Sequence, residues 1–317
     1  MRPDKPAPAA GALRGDRGQI LAFVALTALA AVGVVAMAAF VLDVGSWFRA
    51  HRATQAVADA AALAGAQALP GDTSQARAIA LDYAAKNGGG VQAEDVQFSS
   101  STFANDTIAV RARRTSPGYL SRIVGVASVS VSAQAQARAY NIAQAQYVAP
   151  FAVNRRHPYI EGSSGCPCFG PGNPTTIVLD TGNPSLGAFK VMNVDGSSGG
   201  IGQQTLADWI TRGYQGFMGL GWYYSDPGAK FNPSRVGQAL SQRVGSDLLF
   251  PVYDQTRRQG ASYQYRVVGW IGFHLTGYTA QGANGSLTGY FTRVVWQGIE
   301  SSAKEPFFGA TVVKLVG

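Results

Sequence analysis

From Ile20 to Leu42 the chain reads ILAFVALTALAAVGVVAMAAFVL, 23 positions without a charge and with Thr27 as the lone hydroxyl. A helix of that length spans roughly 34 Å at ~1.5 Å per residue, enough for the hydrocarbon core of a bilayer. Backbone groups in lipid find partners only within their own segment, so a helix is the form expected there. The run has no polar face, which argues against the core helix of a soluble domain. The pattern then changes. Asp43, Trp47, Phe48, Arg49 and Arg52 would put aromatics at headgroup level and charges in water, a membrane-interface girdle. Ala53–Leu69 has high helix propensity, and Ala56, Ala60, Leu63, Ala64 and Gln67 recur at helical spacing. With Asp59 they make a narrow face of small residues, open to packing on its own domain or on a neighbouring subunit. Pro70-Gly71 closes the helix.

Beyond it, Ser74–Lys86 reads as a second helix with Asp72 or Thr73 as cap, stopped by Asn87-Gly88-Gly89-Gly90. Asp95–Thr102 and Thr107–Arg113 read as a hairpin around Asn105-Asp106. Pro117–Val124 reads as a short helix with Ser116 as N-cap. Val126–Tyr140 alternates strictly, with Val129, Val131, Ala133, Ala135, Ala137 and Ala139 on one side. Asn141–Ala149 is expected as a hinge. After Pro150 the strand candidates are Thr176–Asp180, Ala188–Asn193, Tyr263–Thr276, Ser286–Trp296 and Ala310–Val316. Gln204–Arg212 and Pro233–Val244 read as short helices between them, the latter capped by Asn232 or Ser234.

A cleaved leader competes with the retained anchor, since Ala36-Met37-Ala38 is a small-x-small site. The apolar run exceeds the roughly 7–15 residues of a leader's core, and cutting there would leave an Ala39-Phe40-Val41-Leu42 end. The retained anchor is the expectation. Arg2, Lys5, Arg14 and Arg17 precede the run, against Arg49 and Arg52 after it. This bias places the N-terminus in the cytoplasm and the later domains outside. The first 19 residues, rich in Pro, Ala and Gly, are expected as a disordered cytoplasmic tail.

Charged residues make up 14% of the chain, against a usual ~25%. With the four basic and three acidic residues up to Asp43 set aside, 22 Lys/Arg face 15 Asp/Glu, a charge of +7. That balance would suit anionic lipid, cell-wall polymer or nucleic acid, or simply a mildly basic solvated surface. The basic residues are scattered with no run of five, and a nucleic-acid partner is not expected. Cys166 and Cys168 are the two cysteines, and outside the cytoplasm they are expected to pair as a local disulfide. With two ligands and no others nearby, C-x-C does not read as a metal site.

No catalytic signature emerges, and no cofactor is expected. The histidines are His51, His157 and His274, and no G-x-S-x-G elbow accompanies them. His157 with Asp180, or His274 in its strand, would serve a hydrolase only if folding supplied the partners. Asp195-Gly196-Ser197-Ser198-Gly199-Gly200-Ile201-Gly202 lacks the G-K-[ST] ending of a phosphate loop and reads as a turn. Trp209, Trp222, Tyr223, Tyr224, Trp270 and Trp296 are candidates for a glycan groove or, more simply, for core and rim.

The string from Arg17-Gly18 through Asp43-Val44-Gly45 to Gln55 and Ala58-Asp59-Ala60-Ala61-Ala62-Leu63-Ala64-Gly65-Ala66 resembles the N-terminus of TadE/TadG-like Flp pilus-assembly proteins. The resemblance implies a membrane-anchored, minor-pilin-like component of a Tad secretion and pilus system, with other assembly proteins or pilins as partners. Type IV-like prepilins carry Glu five residues after the cleavage-site Gly. Here Phe23 follows Gly18 at that offset, which implies an unprocessed accessory protein. The fold class expected is α+β. A transmembrane helix at 20–42 would continue into a pilin-like α+β domain at 43–140. A linker at 141–149 and a β-rich, barrel- or sandwich-like domain at 150–317 would follow. The alternative function is an anchored cell-envelope hydrolase or a wall- or glycan-binding surface protein.

Overall fold

A computed structural model describes residues 16–164, 166–179, 186–226, 231, 234–259, 262–282, 284–301, 303 and 306–316. The N-terminal tail to residue 15, Asp180, Asn232 and Pro233 lie outside the described residues. In chain order the elements are α1 (Asp16–Ala66), α2 (Thr73–Lys86), β1 (Val96–Ser99), β2 (Thr107–Pro117), β3 (Ser128–Ala145), β4 (Phe151–Asn154), β5 (Thr175–Leu179), β6 (Ala188–Val191), α3 (Gln203–Arg212), β7 (Met218–Gly219), β8 (Gly221–Tyr224), α4 (Val236–Ser241), β9 (Ser246–Gln259), β10 (Ser262–Thr279), β11 (Ser286–Thr292), β12 (Val294–Val295), β13 (Gly298–Ser301) and β14 (Ala310–Val316).

The chain falls into two compact units, Met1–Ala56 with Ala112–Ala133, and Val57–Arg111 with Gln134–Gly317. In the first, α1 contributes one apolar stretch long enough to cross a membrane, and none of its most apolar window is buried by protein. Two of its hydroxyls are spent on the helix itself. Thr27 Oγ1 donates back to Phe23 O at 2.8 Å, and Thr54 Oγ1 to Ala50 O at 2.8 Å. The rest of this unit is the end of β2, a single 3-10 turn at Ser121–Val124, and the start of β3. The expected helix over Pro117–Val124 is therefore corrected: Pro117 ends a strand, and only the last four residues turn. The N–H groups of Tyr119, Leu120 and Ser121 are bound by Asp43, as described below, and the loop closes on itself through Gly118 N to Ala127 O and Val126 N to Ser121 O.

In the second unit the Ala-rich end of α1 lies on α2. Ala58, Ala61 and Ala62 are buried on one helix, and Ala76, Ala80 and Ala84 on the other. Gly65 sets the spacing. A Cβ there would stand 2.6 Å from Ile108 Cδ1 and 2.8 Å from Ala76 O. Asp72 caps α2 by accepting from Gln75 N at 2.9 Å. In the β1–β2 connection Asn105 takes positive φ, and the Asp106 carboxylate collects the N–H groups of Ser101, Thr102 and Phe103. Those bonds outweigh the desolvation that pushes its pKa up and hold it below the usual carboxylate range.

The strands form two large sheets. One has the order β1-β2-β3-β14-β12, with β7 and β13 also on β3. The alternation expected along β3 is seen: Val131, Ala133, Ala135, Ala137 and Ala139 are buried, and Ser132, Gln134 and Gln136 exposed. β14 pairs antiparallel with β3, so the C-terminal strand joins the sheet begun by residues 96–145. The stretch expected as a hinge contains the end of β3, and its Val148 and Ala149 are buried. The second sheet has the order β11-β5-β6-β4-β9-β10-β8, and β10 also pairs β11, so six of its strands pair in a ring. Phe151, Phe189, Phe250, Phe273 and Phe291 form its core, Phe250 and Phe273 stacking at 5.1 Å. Leu206 and Ile210 of α3 and Val236 and Leu240 of α4 pack into the same core.

Candidate functional site

The most organised polar feature near the apolar helix is built on Asp43. It is 1% exposed rather than standing in water as the girdle pattern suggested. Its carboxylate accepts the N–H of Tyr119 on Oδ1 at 2.8 Å, that of Leu120 on Oδ2 at 3.0 Å, and that of Ser121 on Oδ2. These are the free N–H groups at the head of the Ser121–Val124 turn, and a carboxylate satisfies them as an N-cap would. The cap here comes from a residue more than 70 positions away. Sequence reading missed this pairing because nothing local marks a long-range cap. The available signal was a lone acid at the end of an apolar run.

Beside this clamp is a cleft of about 600 Å³. Ala31, Val32, Val35, Ala36, Ala39 and Phe40 form its helix side; Leu120 and Ile123 face them, and Asp43 and Trp47 close its end. Trp47 Nε1 is buried without a hydrogen-bond partner. Phe48 is exposed, with the Arg52 guanidinium 5.5 Å from its ring, and Arg49 is exposed.

The candidate helix face splits. Ala56 is exposed, Asp59, Ala60 and Leu63 are half-buried, and Ala64 is 3% exposed. Val57, Ala58, Ala61, Ala62 and Gly65, one helical step to the side, are buried. Of the face marked in the sequence, Ala56 is exposed and Asp59, Ala60 and Leu63 keep part of their surface in solvent.

The histidines are placed apart. His157 is 3% exposed, its Nδ1 accepts from Tyr159 N at 3.1 Å, and its ring meets Phe291 edge-on at 5.0 Å. Burial pushes its pKa down to about 4. His274 Nδ1 lies 2.7 Å from Asp247 Oδ1, and the ring stacks on Tyr290 at 4.8 Å. Strand register brings these three together, Asp247 on β9, His274 on β10 and Tyr290 on β11. The register thus assembles an Asp–His pair between β9 and β10. The Gly-rich stretch from Asp195 is tied down as a turn: Asn193 Nδ2 donates to Ser197 O and Gly199 O, and Asp195 accepts from Ser197 N.

The aromatic candidates for a glycan groove are mostly engaged. Trp270 is buried and donates to Ile142 O at 2.9 Å. Trp296 donates to Gln146 O at 2.7 Å, and Trp209 packs edge-on against Tyr214. Trp222 is covered on one face by the Arg257 guanidinium at 4.2 Å. Cys166 and Cys168 are joined by a disulfide. Among the described residues no group of three or more His, Cys, Asp or Glu side chains is placed to hold a metal ion.

Residues 18–68 match the model of a family described as putative Flp pilus-assembly TadE/G-like. The match takes in the apolar helix, Asp43 and the whole small-residue face. No curated protein and no solved structure matches the chain.

Proposed function

We propose that this chain is a single-pass, membrane-anchored component of Flp pilus assembly that works by protein–protein contact rather than by catalysis. The observation that carries this reading is the family match over residues 18–68, which coincides with the one helix, among the described residues, long and apolar enough to cross a bilayer. In this reading Ile20–Leu42 is retained as an anchor, and the Lys/Arg bias puts the N-terminus in the cytoplasm with the remainder outside. Ala56, Asp59, Ala60 and Leu63 are the contact face for a pilin or another assembly protein, because they keep surface exposed while the neighbouring face packs inward. The Asp43 clamp shapes the chain where it leaves the membrane.

The first half is read as the minor-pilin-like part and the β-rich second half as a barrel-like distal domain. The ring of strand pairings around a phenylalanine core supports the latter. The deep burial of His157, which removes its ring from solvent, favours this structural role over a hydrolase built on that residue. The test is genetic. Deletion of the gene should abolish or strongly reduce Flp pili, and the intact chain should restore them, whereas a chain without residues 20–42 should not. Full piliation from the anchorless chain would overturn the reading.

A further inference from the structure

We infer that the turn from Tyr119 to Val126 is a second membrane contact, immersed in the leaflet that borders Asp43, with lipid acyl chains filling the cleft between it and the helix. The inference rests on the anchoring of Ile20–Leu42 proposed above. It starts from where Asp43 holds the turn. The clamp fixes Tyr119, Leu120 and Ser121 at the end of the apolar run, and the turn then runs back beside that run. Ile123 lines the cleft together with Ala31, Val35 and Ala39. At ~1.5 Å per residue these helix positions lie roughly 6 to 18 Å from Asp43 along the axis. One leaflet contributes about half of the ~30 Å hydrocarbon core. The cleft therefore occupies the depth of one leaflet.

The side chains on the turn suit that depth. Ile123 is 81% exposed and Tyr119 65%, and Val126 is exposed too. Three uncovered apolar or aromatic residues on one short loop make a poor water-facing surface. Several of the loop's N–H groups are bonded within it. Gly118 N bonds to Ala127 O, Gly125 N to Arg122 O, Val126 N to Ser121 O, and Ser121 Oγ donates to Val126 O. Together with the Asp43 clamp, these bonds engage most of the turn's N–H groups, which lowers the cost of taking them out of water. Arg122, on the same turn, has the long stem that lets a guanidinium reach back to headgroups. Lipid is the occupant because the helix side of the cleft is continuous with the uncovered surface that the anchor already presents to the bilayer.

The experiment uses the full chain in vesicles of phosphatidylcholine and phosphatidylglycerol. Ile123→Cys and, separately, Val34→Cys each add a single free thiol for an environment-sensitive fluorophore, the native cysteines being paired. Lipids brominated on their acyl chains are then the quencher. The inference predicts that both labels lose most of their emission and that the label at 123 is blue-shifted relative to the same protein in urea. Quenching at 34 without quenching at 123 would overturn the inference and leave the anchor standing. Absence of quenching at both positions would overturn both. A label at 123 that is shielded in crowded vesicles and quenched only after lipid dilution would assign the cleft to a neighbouring copy's helix, again against the inference.

Discussion

The carboxylate of Asp43 receives the backbone N–H of Ser121, 78 positions further along the chain. One side chain at the end of an apolar helix thereby sets the start of a turn that local sequence leaves open. Asp43→Ala removes all of these acceptors at once, and Asp43→Asn keeps one uncharged oxygen. Hydrogen exchange at the amides of residues 119–121 should accelerate several-fold in Asp43→Ala and less in Asp43→Asn, with the amides of Ile20–Leu42 unchanged. Equal protection in wild type and Asp43→Ala would show that the turn holds itself.

Gly65 tests the packing of α1 on α2. An added methyl meets the Ala76 carbonyl oxygen at 2.8 Å and Ile108 Cδ1 at 2.6 Å. Overpacking of this kind costs about 1–3 kcal/mol, against a helix-propensity gain of about 1 kcal/mol. Gly65→Ala should therefore lower the melting temperature of the full chain in detergent. A rise would mean that the two helices separate at little cost.

His157 gives the second unit a pH dependence. Its pKa is pushed down to about 4 by burial, from an ordinary 6.5. Between those values the unfolded chain takes up a proton and the native chain does not. Stability is then fully present above pH ~6.5 and falls as pH drops toward ~4, by at most about 1.4 kcal/mol per pH unit. Thermal melts of wild type and His157→Asn, which keeps an acceptor for Tyr159 N–H, should diverge above pH 6 and converge near pH 4. Parallel curves would remove His157 as the cause.

Much of the first half was legible because its signals are local. An uncharged run, an Asp cap on α2 and strict alternation along β3 each declare themselves within a few residues. The helix proposed at Pro117–Val124 failed because its fate depends on Asp43, far away in the chain. β9 went unrecognised because Pro251 and the Arg257-Arg258 pair break its apolar pattern. Yet Pro251 sits opposite Trp270 in a strand paired along most of β10. The His274–Asp247 pair was also hidden, since strand register alone brings those residues together.

Cys166 and Cys168 make a simple chemical prediction. Denatured, unreduced protein should show no reactive thiol, and reduced protein two. Two titratable thiols before reduction would contradict the pairing.

The contact face is tested by enlarging it. Ala60 is half-buried and lies between Ala56 and Leu63 on the less covered side of α1. Ala60→Leu should reduce the number of assembled pili several-fold while leaving the amount of membrane-bound chain unchanged. Unaltered piliation would remove this face from the assembly contact.

The account depends most on the apolar helix being kept and embedded. Membranes from cells making the chain are washed at alkaline pH, and the N-terminal peptide of the retained protein is weighed by mass spectrometry. The account predicts a pelleted protein whose sequence still includes Ile20–Leu42. Release into the wash, or a chain that begins at Ala39, would contradict it.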